Sequence, residues 1–190
     1  LGRLTCSYNS KVFPLMHNSQ LIPVHRWWLV ATVIFSLFGA GPVSAQMIDL
    51  GPNGMSDIWE QSFGAAGLDP DSDWDGDGVK NRQESVAGTN PFDFNSVPRI
   101  SLFAYSGTNV GVSMTAELGK RYQLESVPAL DSGSLSNWLN EASTIVRTGS
   151  VATLSAPANG AQKFFRIVIA DVDTDGDAVN DWEEYQLGLD

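Results

Sequence analysis

Asp73-Trp74-Asp75-Gly76-Asp77-Gly78-Val79-Lys80-Asn81-Arg82-Gln83-Glu84 puts aspartate at the first, third and fifth places of a twelve-residue span, glycine at the sixth and glutamate at the last. This is the D-x-D-x-D-G-x5-E spacing of a calcium loop. Alternate carboxylates in a tightly wound loop converge on one point, and Gly78 supplies the turn that carries the chain around an ion. The expected ligands are Asp73, Asp75, Asp77, the backbone carbonyl of Val79, Asn81 at the ninth place and a bidentate Glu84. Four carboxylates so close repel one another without a cation. Oxygen ligands in flexible, six- to eight-fold geometry favour calcium over magnesium. The competing reading is a solvated acidic turn, because aspartate and glycine are good turn formers. Composition alone rarely delivers a match at all five diagnostic places.

The span recurs. Asp173, Asp175, Asp177, the carbonyl of Val179, Asp181 and Glu184 overlay the first set place for place. Ala178 stands at the sixth place, and a left-handed backbone there costs an alanine on the order of 1 kcal/mol, which predicts a weaker site. A third, decayed copy starts at Asp49 and ends at Glu60, with Gly51 at the third place and Asn53 at the fifth. Having lost one carboxylate and exchanged another for an amide, it is expected to be a structural cap, or one half of a pair with the loop at Asp73.

Each loop runs into a short helical pattern, over 56–63, 81–87 and 181–187, followed by Gly64, Gly88 or Gly188 as a stop signal. Trp59, Phe63, Val86 and Trp182 are expected to cluster beneath the loops. Between the second and third loops the pattern changes to alternation. Six strands are predicted over 100–105, 109–116, 121–126, 144–148, 151–155 and 163–170, with Val110, Val112 and Met114 on one buried face. Gly107, Gly119, Gly149 and Gly160 punctuate them, and Trp138 is expected to close over the core as a lid. The expected fold is mainly β: a small antiparallel β-sandwich flanked by short calcium-loop-plus-helix repeats.

The chain has 190 residues and a formal net charge of −11, yet every one of its 22 acids lies at or after Asp49. Residues 46–190 carry eight bases against those acids, a net −14 that excludes a phosphate-seeking, nucleic-acid-binding role. His17, His25 and Cys6 all precede residue 45. The rest of the chain therefore has no imidazole or thiol for Ser-His-Asp, Cys-His or ordinary zinc chemistry.

Residues 1–45 read as an upstream segment and a secretory signal, with a start at Met16 giving a more ordinary leader. His25 and Arg26 precede the apolar run 27–40, and the small residues of Gly41-Pro42-Val43-Ser44-Ala45 offer a cleavage site after Ala45. That run falls short of the roughly 20 residues a bilayer span requires. No stable membrane span is expected after cleavage, and the product is expected to be secreted or held at the cell surface. The remaining divisions are a loop pair over 46–97, the sandwich over 98–170 and the start of a further repeat over 171–190. Gly188-Leu189-Asp190 repeats Gly67-Leu68-Asp69, which predicts that another loop would follow.

The strings Asp73 to Asn81 and Asp173 to Asp181, with valine at the seventh place, resemble thrombospondin type 3 repeats of bacterial secreted proteins. The cysteines of the animal version are missing, and the helix after each loop is closer to a dockerin or EF-hand. The middle region is similar to small fibronectin type III or immunoglobulin-like modules. The resemblance implies calcium as the partner ion and a non-catalytic role in which calcium rigidifies the repeats. The alternative is a dockerin-like or carbohydrate-binding module of a larger secreted enzyme or surface protein, with an extracellular protein or polysaccharide as partner and Trp74 or Trp138 stacking on a sugar. Carboxylate-only catalysis is disfavoured because the remaining acids, Glu117, Glu125, Asp131 and Glu141, are scattered over turns and strands.

Overall fold

The computed structural model describes residues 47–130, 137–158 and 163–189. The leader expected over 1–45, together with Asp131 and Gly160, lies outside the described residues. The order of elements is α1 (Asp57–Phe63), α2 (Asn81–Ala87), β1 (Ile100–Tyr105), β2 (Asn109–Thr115), β3 (Lys120–Val127), β4 (Leu139–Ile145), β5 (Val151–Pro157), β6 (Phe164–Asp171) and α3 (Asp181–Leu187). Among the described residues, no helix is long and apolar enough to cross a membrane.

The chain is mainly β, with six antiparallel strands in two sheets ordered β1-β2-β5 and β4-β3-β6. Period-two alternation decides which side chains are buried. Val110, Val112 and Met114 of β2 face Ala156, Leu154 and Ala152 of β5 across the ladder, and all six are buried. In the other sheet Tyr122 and Leu124 of β3 pair with Ile169 and Ile167 of β6. Residues of both sheets join one core cluster, with Phe165, Ile167 and Ile169 packed against it. The tyrosine hydroxyl that this core buries is not left unpaired: Tyr122 Oη accepts from the Glu117 amide at 2.8 Å.

Five of the expected strands are present with small shifts of their ends, whereas β4 covers Leu139–Ile145 and shares only residues 144 and 145 with the strand expected over 144–148. The Trp138 ring just before it lies against the Arg166 guanidinium, 4.3 Å from ring centroid to Cζ, rather than over the core. Arg166 pairs with Glu125, whose odd-numbered place on β3 points away from buried Tyr122 and Leu124. Trp138 therefore belongs to a polar outer face.

A seven-residue helix is too short to persist alone, so each of the three depends on its ends and its packing. The Ser56 and Asn180 side chains cap α1 and α3 by accepting from Trp59 N and Glu183 N. Gly64, Gly88 and Gly188 close all three in the left-handed conformation. Met55, Trp59, Ala65 and Trp182 form a second core, with Ile58, Phe63 and Leu68 against it; Val86 is half-buried and outside this cluster. Thus α3, from the far end of the chain, packs in the same cluster as α1. Gly88 permits this approach, because a Cβ there would sit 2.6 Å from the Trp182 indole nitrogen.

Candidate metal centre

In the loop at Asp73, backbone amides set the carboxylates in place. Asp73 accepts from Gly76 N at 2.8 Å and Gly78 N at 2.9 Å, Asp75 from Asp77 N at 3.1 Å, and Asp77 from Val79 N at 2.7 Å. One oxygen from each of the three aspartates falls within 4.8 Å of the others, and the three can hold a metal ion. Helix α2 begins at Asn81, whose Nδ2 donates to Asp69 O and Ser72 Oγ, and carries Glu84, which is fully buried and is not one of the three mutually close carboxylates.

The decisive feature is what these bonds leave over. Asp75 Oδ2, Asp77 Oδ2, Asn81 Oδ1 and Glu84 Oε2 are buried without a hydrogen-bond partner. All four are oxygens; Arg82 Nε, a donor in the same span, is also buried without a partner, and buried polar atoms are almost always paired. A single water has only two hydrogens to give, whereas a hard cation satisfies several oxygens together. Burial, followed by the charges of Asp77, Asp75 and Asp73, pushes the Glu84 carboxyl from an ordinary 4.5 up to about 8. Burial first, then neighbouring Asp75 and Asp73, also raises Asp77. A cation in the loop reverses the repulsive part of both effects.

The loop at Asp173 repeats this skeleton. Asp173 accepts from Gly176 N at 2.6 Å and Ala178 N at 2.9 Å, while Asp177 accepts from Val179 N at 2.9 Å. Asp173, Asp175 and Asp177 form the second triplet able to hold a metal ion, and α3 carries Glu184, 9% exposed. Two differences separate it from the first triplet. Asp175 and Asp177 are exposed here, whereas Asp75 and Asp77 are half-buried. The ninth-place Asp181 accepts from Thr174 N and Thr174 Oγ1 with its two oxygens, so it braces the loop. Ala178 adopts φ 80° and is the one non-glycine residue with positive φ among those described, as its place in the pattern requires.

The decayed loop keeps the same frame without the same centre. Asp49 accepts from Asn53 N at 3.3 Å and Gly54 N at 2.9 Å, and Asn53 Oδ1 accepts from Met55 N at 2.8 Å. In all three loops the ninth-place amide donates to the carbonyl just before the loop: Asp57 to Ile48, Asn81 to Ser72 and Asp181 to Val172. The middle differs: Asn53 Nδ2 donates to Glu60 Oε1 at 3.0 Å, joining the fifth place to the twelfth directly. An amide donor stands where a cation would otherwise link the two.

The residues that fasten the loops together have no motif of their own. Glu183 accepts from Ile48 N and from Ser56 Oγ, Ser85 Oγ accepts from Ser56 N, and Trp59 Nε1 donates to Thr89 O. A second acid beside the closing glutamate of the third loop, in Glu183-Glu184, was the available signal. Comparison of the chain with family models, curated protein sequences and solved structures returns no match.

Proposed function

We propose that this is a secreted, non-catalytic calcium-binding protein in which ions at Asp73–Glu84 and Asp173–Glu184 rigidify loop-helix units around a small β-sandwich. The observation that carries this reading is the set of four buried, unpartnered oxygens in the Asp73 loop. Their number and hardness favour calcium, which accepts six to eight oxygens at flexible geometry, over magnesium. The carbonyls of Val79 and Val179 would complete the shells. The resemblance of both loops to thrombospondin type 3 repeats supports the same ion. The strand orders β1-β2-β5 and β4-β3-β6, with one core fed from both sheets, support the sandwich. The basic and apolar pattern before Ala45 supports export.

The mechanism is linkage. An ion bound by the folded state alone stabilises it by RT ln(1 + [L]/Kd), about 2.7 kcal/mol when calcium stands 100-fold above Kd. Thermal melts of the full chain in chelator and in millimolar calcium test the reading: calcium should raise Tm, and Asp75→Ala should remove most of the rise. An unchanged wild-type melt, together with no heat on calcium titration, would sink it.

A second reading rests on Trp74, which is 62% exposed between two candidate ligands and meets Phe92 edge-on at 6.1 Å between centroids. This aromatic pair is a stacking surface for a polysaccharide at the lip of the loop. Retention on polysaccharide gels that is lost in Trp74→Ala would favour that module; equal mobility of the two proteins would dismiss it.

A further inference from the structure

Among the described residues the loop over 49–60 has no three-carboxylate group like those of the other two, yet its helix touches both of them beside their closing glutamates. Ser56, the N-cap of α1, donates its amide hydrogen to Ser85 Oγ at 2.8 Å, and Ser85 directly follows Glu84 on α2. The same residue's hydroxyl donates to Glu183, which directly precedes Glu184 on α3. Both bonds are buried, so neither is diluted by exchange with solvent. A second path runs parallel to the first. Thr89 Oγ1 donates to Glu84 Oε1 at 3.3 Å, and its carbonyl accepts from the Trp59 indole at 2.7 Å. Trp59 shares its core with Trp182, which packs on Gly88 at the end of α2.

We propose that the ion-free loop over 49–60 couples the two cation loops, with Ser56 as the node, so that occupancy of one raises the affinity of the other. This rests on the calcium reading above. When a cation draws Glu84 into its shell, α2 is fixed and with it Ser85; the Ser56 position then follows, and through Glu183 so does α3, which carries Glu184. The ordering cost of the three-helix cluster is met by whichever ion arrives first, and the second binds to a cluster already set. The amide link from Asn53 to Glu60 keeps α1 anchored with no ion present, which lets it serve both partners.

The test is calcium titration calorimetry on the chelator-stripped full chain, on Asp75→Ala and Asp175→Ala, and on the same set carrying Ser56→Ala. The product of the two wild-type stepwise constants should exceed the product of the single-site constants by about fivefold or more, the lower range of measured couplings. With Ser56→Ala that ratio should fall towards one. Ser85→Ala provides the same comparison with the α1 cap intact, should loss of the cap unfold the cluster. Two binding steps with a ratio of one in the wild type would overturn the coupling and leave the calcium reading standing. A single step, removed by Asp75→Ala alone, would overturn the coupling and the Asp173 site together. Absence of binding would overturn the calcium reading as well.

Discussion

The loops at Asp49 and Asp73 share a backbone frame and differ in what fills it. Both begin with an aspartate that accepts two loop amides, turn at a left-handed glycine in the sixth place and end on a glutamate carried by a helix. In one, Asn53 donates to Glu60, which closes the loop with a side-chain hydrogen bond. In the other, Asp77 and Glu84 each keep a buried oxygen without a donor. The hydrogen-bonded frame is thus compatible with either content, and the two loops differ in which acceptors it leaves unpaired.

The largest effect expected from that difference is on pH. In chelator, unfolded Glu84 releases its proton near 4.5 whereas the folded group holds it to about 8, so the folded state binds more protons between those values. Stability therefore falls as pH rises through that window, by on the order of 3–5 kcal/mol, and Glu84→Gln should flatten the profile. Denaturant melts at intervals from pH 4.5 to 8 would read it. A profile that is equally steep in the variant would assign the slope to other groups.

Asp75→Ala should cost little in chelator but forfeit the share of the calcium-dependent gain that comes from the Asp73 loop, about 2.7 kcal/mol at 100-fold excess over that site's Kd. Chemical denaturation with and without calcium measures both arms. Next in size, Asn53→Asp sets a carboxylate against Glu60 in place of a donor and should destabilise the calcium-free protein by about 1–3 kcal/mol. Adding Gly51→Asp to that variant should make the loss reversible by calcium, which would convert the first loop into the second kind. Smallest is Ala178→Gly, which relieves a left-handed alanine and should add about 1 kcal/mol along with tighter binding at the Asp173 loop. Unchanged stability there would mean that the loop tolerates the strain at no cost.

Much of this was readable from residue spacing because the determinants are local. The three helices sit where the loop pattern and the following glycines placed them, within one residue. The alternation of Val110, Val112 and Met114 marked the buried face of β2. Strand β4 was harder because Leu139-Asn140-Glu141-Ala142-Ser143-Thr144-Ile145 leaves its first leucine exposed and its ladder to β3 shifts register at Leu124/Glu125. The position of Trp138 follows from an ion pair across β3 and β6, which no single stretch contains. The union of α3 with α1 likewise depends on Glu183, Ser56 and Gly88, residues of ordinary type far apart in sequence. Ligand types were legible; which acceptors stay unpaired required three-dimensional placement.

The most direct test is to locate the ion. Crystals of the full chain grown in millimolar calcium, with anomalous scattering recorded at long wavelength, should give one peak amid Asp73, Asp75, Asp77 and Glu84 and a second amid Asp173, Asp175, Asp177 and Glu184. The Asn53–Glu60 loop should give none. A peak at Asn53, or an empty Asp73 loop at saturating calcium, would contradict the account at its centre.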